Sequence, residues 1–182
     1  MKFLVIYASI EGQTRKIAEA IASHIEALGH AAALMNVAMP VEFSLERPQA
    51  VILCAPVHAG RYPTPFVDFL QREHDWLNNL PVAFVSVTLS IRSEHEDERR
   101  QAEAFPEALK AETGLRPLIV HNAAGALRFT EYDFFKRWVM RQIAEREGTE
   151  VKPGQDVEFT DWSKLKAFTD EFLVLATKAV SG

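Results

Sequence analysis

The stretch YASIEGQTRK, residues 7–16, carries an apolar strand into a polar turn with one glycine, and the turn runs directly into a helix. Upstream, FLVIYA (3–8) is continuous and rich in branched and aromatic side chains, which is how a strand covered on both faces reads. Downstream, Ile17, Ala18, Ile21, Ala22, Ile25 and Leu28 recur at intervals of three and four and lay one apolar stripe along a helix. Gly29 stands where a left-handed cap is wanted. Strand, polar turn and amphipathic helix together are the opening unit of a parallel α/β fold.

The same rhythm continues along the chain. AAALMNV (31–37) is a short, alanine-rich strand closed by Pro40, and QAVILCAPV (49–57) is a clearer buried one. The loop HAGRYPTP (58–65) follows it. There Thr64 reads as an N-cap with Pro65 in the first helical position, and Phe66, Phe69 and Leu70 begin the apolar face. PVAFVSVTLS (81–90) predicts a fourth strand; the charge run RSEHEDERR (92–100) predicts solvated surface, then a helix carrying Ala102, Phe105 and Leu109 up to Gly114. RPLIVHNAAGAL (116–127) predicts the fifth strand, and a last helix after Thr160 and Asp161 buries Leu165, Phe168, Phe172 and Leu175. Strands alternating with helices imply right-handed βαβ crossovers. The expected fold is therefore α/β, a doubly wound five-stranded parallel sheet with helices on both faces. Residues 128–160 exceed any ordinary connection and read as a long insertion after or within the fifth strand.

At 182 residues, with 48% hydrophobic and 25% charged residues, the chain is expected to form one globular domain over 1–182. A net charge of -5 argues against a general nucleic-acid binder, which needs a surplus of Lys and Arg. The one cysteine, Cys54, rules out an internal disulfide or a cysteine metal cluster, and its place in an apolar strand reads as core. No two histidines share a spacing that suggests a metal, so none is expected. The N-terminal apolar run is too short for a signal peptide, and no stretch approaches the roughly 20 apolar residues of a spanning helix.

In a doubly wound sheet the ligand sits beyond the carboxyl ends of the strands, so the turn SIEGQT (9–14) is where it belongs. The hydroxyls of Ser9 and Thr14, the Gln13 amide and several backbone N–H groups can converge on an anion at the helix N-terminus. Gly12 removes a side chain where the backbone must close. The turn has no lysine of the Walker kind and lacks the three glycines of a dinucleotide site. Neutral donors without a cation suit a monophosphate, which points to flavin mononucleotide (FMN). VHAGRY (57–62) and TLS (88–90) would stand on the same edge of the sheet as walls for a flat ring.

Over nearly its whole length the sequence resembles flavodoxin-like proteins, and more closely the menaquinone-dependent protoporphyrinogen IX oxidases of bacteria. The likeness rests on EGQTRKIA (11–18), GRYPTPFVDF (60–69), FVSVTLS (84–90), GALRF (125–129) with YDFFKRWVM (132–140), and FTDW (159–162). It implies that Ser9, Ile10, Glu11, Gly12, Gln13 and Thr14 hold the FMN phosphate. It further implies that Val57, His58, Ala59, Gly60, Thr88, Leu89, Ser90, Gly125 and Ala126 line the ring and ribityl chain. Family members carry a tyrosine at the position of Ala59 and an arginine at that of His58, so this chain lacks one aromatic wall. His58 either assists proton movement beside the flavin or only donates a hydrogen bond.

The implied activity is oxidation of protoporphyrinogen IX to protoporphyrin IX in heme biosynthesis, with electrons passed to menaquinone or ubiquinone. The flavin carries that chemistry, so no side chain need be a nucleophile. In the insertion, Arg128, Tyr132, Lys136, Arg137, Trp138 and Arg141 offer aromatic walls and basic clamps for a tetrapyrrole or a peripheral membrane surface. The same residues equally describe a helix packed on its own domain with solvated cations. The expected location is cytoplasmic, on the inner face of the cell membrane where it touches lipid, and self-association stays open. The rival functions are a flavodoxin-type electron carrier serving a protein partner, which the acidic charge favours, an NAD(P)H:quinone reductase, and a remnant that binds no flavin.

Overall fold

The computed structural model describes residues 1–9, 12–39, 47–127 and 157–181. Five parallel strands, β1 (Lys2–Tyr7), β2 (Ala31–Asn36), β3 (Ala50–Pro56), β4 (Val82–Val87) and β5 (Ile119–Ala123), form one sheet in the order β2-β1-β3-β4-β5. Every residue of β3 and β4 is buried, which is why those strands read as unbroken apolar runs. β2 lies at an edge and is largely exposed, and its small alanines have little to bury.

Helix α1 (Gln13–Ala27) and helix α4 (Trp162–Ser181) cover one face of the sheet, while α2 (Thr64–Asn78) and α3 (Glu96–Thr113) cover the other. The α1 stripe is buried at Ile17, Ala18, Ile21, Ala22 and Ile25, against Val5, Ile52 and Phe172 among others, whereas Leu28, expected to extend it, lies at the C-cap and is exposed. Across the sheet, Phe66 of α2 stacks on Phe84 of β4 at 6.0 Å, and Tyr62 leans on both rings. Gly29 takes the left-handed conformation expected of it, with φ 82°.

Two further local expectations are corrected, the cap of α2 and the end of the fifth strand. The α2 cap is Pro63, and Thr64 is already helical with Pro65 behind it, so proline's fixed φ starts the helix without a side-chain cap. Helix α3 runs through Pro106, which is buried; packing against the sheet holds a residue that would break an isolated helix. The fifth strand ends at Ala123 rather than Leu127. Beyond it, β6 (Ala126–Leu127) pairs antiparallel with β7 (Val157–Glu158), so the chain leaving the main sheet meets the chain returning to α4. Residues 157–160, placed in the insertion by sequence, therefore form its return and the approach to α4. Among the described residues no helix is long and apolar enough to cross a membrane.

Candidate functional site

Because all five strands run parallel, the loops after β1, β3, β4 and β5 emerge on one edge, and backbone hydrogen bonds carry the ladder right up to them. Ala8 donates to Cys54 O at 3.0 Å, Val57 to Val87 O at 2.8 Å and Thr88 to Ala123 O at 3.0 Å. The strand order reverses between β1 and β3, so the loop after β1 stands at the switch point where doubly wound sheets place their ligands.

That loop is built around Gly12, whose φ of 95° only glycine adopts readily, and whose N–H donates to Ser9 Oγ at 3.0 Å. Since Ser9 Oγ accepts there, its own proton is available to an outside acceptor. The first helical bond runs from Lys16 N–H to Gly12 O, which leaves the N–H groups of Gln13, Thr14 and Arg15 without an acceptor inside the helix. Thr14 is only 3% exposed, and no hydrogen bond holds its hydroxyl among the described residues. The nearby cations are already engaged: Arg15 pairs with Glu19 at 2.7 Å and Lys16 with Glu158 at 3.4 Å. Among the described residues the cradle is rich in neutral donors, suited to a phosphate approaching the positive end of α1.

The loop after β3 turns sharply. His58 and Arg61 exchange backbone hydrogen bonds at 2.9 and 3.0 Å around Ala59 (φ 49°) and Gly60 (φ 78°), both in the left-handed region that mirror-image turns require. Its tip is exposed. Tyr62 anchors its far side through a 2.8 Å hydrogen bond between its hydroxyl and that of Ser86, which is fully buried. Burial pushes the Tyr62 phenol well above its ordinary range, and the bond to Ser86 opposes that in part.

After β4, Thr88 Oγ1 accepts from Ser90 N–H at 3.3 Å and starts a single 3-10 turn, Leu89–Arg92. Gly125 lies close beside it: a Cβ there would stand 3.4 Å from Val87 Cγ1. Ser9, Gly12, Gln13, Thr14, Val57, His58, Ala59, Gly60, Thr88, Leu89, Ser90, Gly125 and Ala126 therefore all lie on the carboxyl edge. Ile10, Glu11 and the insertion residues Arg128, Tyr132, Lys136, Arg137, Trp138 and Arg141 lie outside the described residues.

Two features were missed in the sequence. Thr160 accepts from Gln13 Nε2 at 2.9 Å and donates to Ala124 O at 2.8 Å, and Glu158 accepts from Trp162 Nε1 at 2.7 Å while meeting Lys16. A hydroxyl one residue ahead of the Asp161 helix cap was the available signal, since the cap itself uses only the aspartate. A groove of about 200 Å³ between α1 and α4, lined by Ile21, His24, Trp162 and Leu165, lies on the helical face instead of the strand tips. The buried thiol of Cys54 is pushed far above its ordinary range by desolvation and faces the core.

Residues 4–153 match a family model described as a flavodoxin domain. Over 178 residues the chain is 31% identical to an Escherichia coli protein named protoporphyrinogen IX dehydrogenase (quinone), with 98% of each chain covered. A Leishmania major protein of the same name is 24% identical, covering 96% of this chain and 75% of its own. Among solved structures, a short-chain flavodoxin associated with a non-canonical PDU bacterial microcompartment superposes with a TM-score of 0.58 at 13% identity, covering 97% of this chain and 99% of its own. A Fusobacterium nucleatum flavodoxin mutant bound to flavin mononucleotide gives 0.52 at 14% identity, covering 97% and 95%. At those identities the structural likenesses carry the fold alone.

Proposed function

The chain belongs to the flavodoxin domain family, and from that premise we propose that it is an FMN-dependent oxidoreductase that oxidises protoporphyrinogen IX and passes the electrons to a quinone. The full-length similarity to relatives named for that reaction supports the substrate pair. The donor-rich loop around Gly12 supports the cofactor and is the observation that carries the reading.

The residues present fit FMN. A left-handed Gly12, first-turn N–H groups of α1 that no helical carbonyl accepts, the Ser9 proton and the Thr14 hydroxyl all belong to the turn where a phosphate would sit, and the nearby Arg15 and Lys16 are already paired. When bound, the flavin supplies reversible two-electron transfer, used in successive rounds on the porphyrinogen. The chain's own part is placement. The β1 loop would hold the phosphate, and residues 57–60, 88–90, Gly125 and Ala126 would flank the ring on the same edge. Gly125 brings its loop beside the end of β4, where an added Cβ would stand 3.4 Å from Val87 Cγ1. His58 lies exposed at the tip of its turn. Arg128, Tyr132, Lys136, Arg137, Trp138 and Arg141 are assigned to the tetrapyrrole or to peripheral contact with the membrane surface on their residue types.

Purified protein given FMN, protoporphyrinogen and a menaquinone analogue without oxygen should produce porphyrin fluorescence that depends on both the FMN and the quinone. Protein that binds FMN but gives no fluorescence above the protein-free rate would overturn the proposed activity. The net charge of -5 favours one rival, an electron carrier for a protein partner, and that carrier is the outcome such a negative result selects.

A further inference from the structure

We propose that Thr160 is a positioning residue that fixes the phosphate-binding loop after β1 to the loop after β5, acting through the Gln13 side chain; this rests on the FMN reading above. Three hydrogen-bonding groups lie in a row: Gln13 Nε2, Thr160 Oγ1 and the Ala124 carbonyl, at 2.9 and 2.8 Å. Proton counting fixes its direction. A carbonyl only accepts, so the single hydroxyl proton of Thr160 goes to Ala124. Thr160 Oγ1 can then only accept from Gln13, and the Gln13 amide must turn its NH2 group toward it. One hydroxyl thereby dictates the orientation of an amide at the first position of α1, beside the phosphate cradle.

The hydroxyl is itself held from both sides. On one side, Phe159 N–H donates to Gly125 O at 3.1 Å, and β7 pairs with β6 just before it. On the other, Asp161 caps α4, its carboxylate accepting from Lys164 N–H at 3.0 Å and its carbonyl from Leu165 N–H at 3.0 Å. A second tie runs parallel to the first: Glu158 meets Lys16 at 3.4 Å and takes the Trp162 indole N–H at 2.7 Å. Residues 158–162 thus grip the first turn of α1 at two points. The Glu158–Lys16 tie is exposed and weak, whereas the Thr160 link is half-buried and directional. Through it, the loop that would hold the phosphate and the loop that would flank the ring move as one unit, and a cradle ordered before the ligand arrives loses less freedom on binding.

The experiment measures dissociation constants for FMN and for riboflavin, which lacks the phosphate, by quenching of flavin fluorescence. It compares the unaltered protein with Thr160→Val and Thr160→Ser. Valine keeps the shape and removes the hydroxyl; serine keeps the hydroxyl. The expected result is about a tenfold weaker FMN affinity for Thr160→Val, recovery to within about twofold for Thr160→Ser, and a riboflavin change below about threefold. Equal FMN affinity in Thr160→Val, an equal loss for FMN and riboflavin, or no recovery with serine would each overturn the proposal. Thr160→Ala, which leaves the Ala124 carbonyl open to water, takes the place of valine if that variant does not fold, with the same criteria. If the unaltered protein binds no FMN, the cofactor reading falls and this proposal with it; if it binds FMN and the variants bind equally well, only this proposal falls.

Discussion

Gly12 and Gly29 stand at opposite ends of α1, both in the left-handed region, with φ of 95° and 82°. Placing alanine at each separates backbone strain from ligand binding. A side chain in that region costs roughly 1–2 kcal/mol. At Gly29 nothing lies within 4 Å of the Cβ that would be added, so strain is the whole effect. Gly29→Ala should therefore destabilise the apoprotein by about 1 kcal/mol, a drop in Tm of about 2–4 °C for a chain of this size, and leave FMN affinity within about twofold. Gly12→Ala introduces comparable strain, but in the loop that must hold its shape around a phosphate. Whatever part of that strain the empty loop relaxes away reappears as lost affinity. The loss of apoprotein stability and the loss of FMN binding energy should then sum to about 1–2 kcal/mol. The limits are an unchanged affinity with a lower Tm, and an unchanged Tm with FMN binding weakened by about tenfold or somewhat more. Urea unfolding of the apoproteins and flavin-quenching titrations supply both terms. A summed loss below about 0.5 kcal/mol for Gly12→Ala, or an FMN defect in Gly29→Ala as large as that in Gly12→Ala, would refute the assignment of the β1 loop as the cradle.

Other expectations follow from single contacts. Tyr62→Phe leaves the fully buried Ser86 hydroxyl without its 2.8 Å partner and should cost about 1–2 kcal/mol in urea unfolding, much of it recovered when Ser86→Ala is added. His121 stacks on Phe168 at 5.1 Å, and its basicity is lowered by burial and then by Lys164, against the opposing Asp161. The unfolded chain thus takes up a proton that the folded one resists. The resulting stability is fully present above the ordinary histidine value of 6.5 and is lost as pH falls toward the lower folded value. His121→Gln should flatten the fall in unfolding free energy measured between about pH 7 and about pH 5. Cys54, buried and with its thiol pushed up by desolvation, should react with a thiol reagent only at the rate of global unfolding; fast labelling of the native protein would contradict its place in the core.

The parts of the fold visible in the sequence are those set by local burial. β1, β3 and β4 are covered on both faces, so each reads as an apolar run, and the α1 stripe follows from its period. The polar turn at residues 9–14 announces itself because a glycine and hydroxyl residues sit between strand and helix. What stayed hidden depends on distant partners. The apolar run continues past Ala123, but the Gly125 carbonyl accepts from Phe159 and Ala126 pairs with Glu158, so the fifth strand stops short. Likewise Thr160 gains its role from Gln13, 147 positions away, a relation that no local pattern encodes. The Thr64 cap failed for a local reason: proline at 63 and 65 fixes the backbone by itself, and a capping hydroxyl has nothing to add.

The β6–β7 ribbon makes residues 128–156 a cassette. Leu127 and Val157 face each other across one strand spacing, about 5 Å, so both ends of the cassette are anchored at a single point on the scaffold. A tight turn could replace everything between them without stretching the main sheet. Selection could therefore lengthen, shorten or exchange that segment while the five-stranded sheet and the loops on its carboxyl edge kept their geometry.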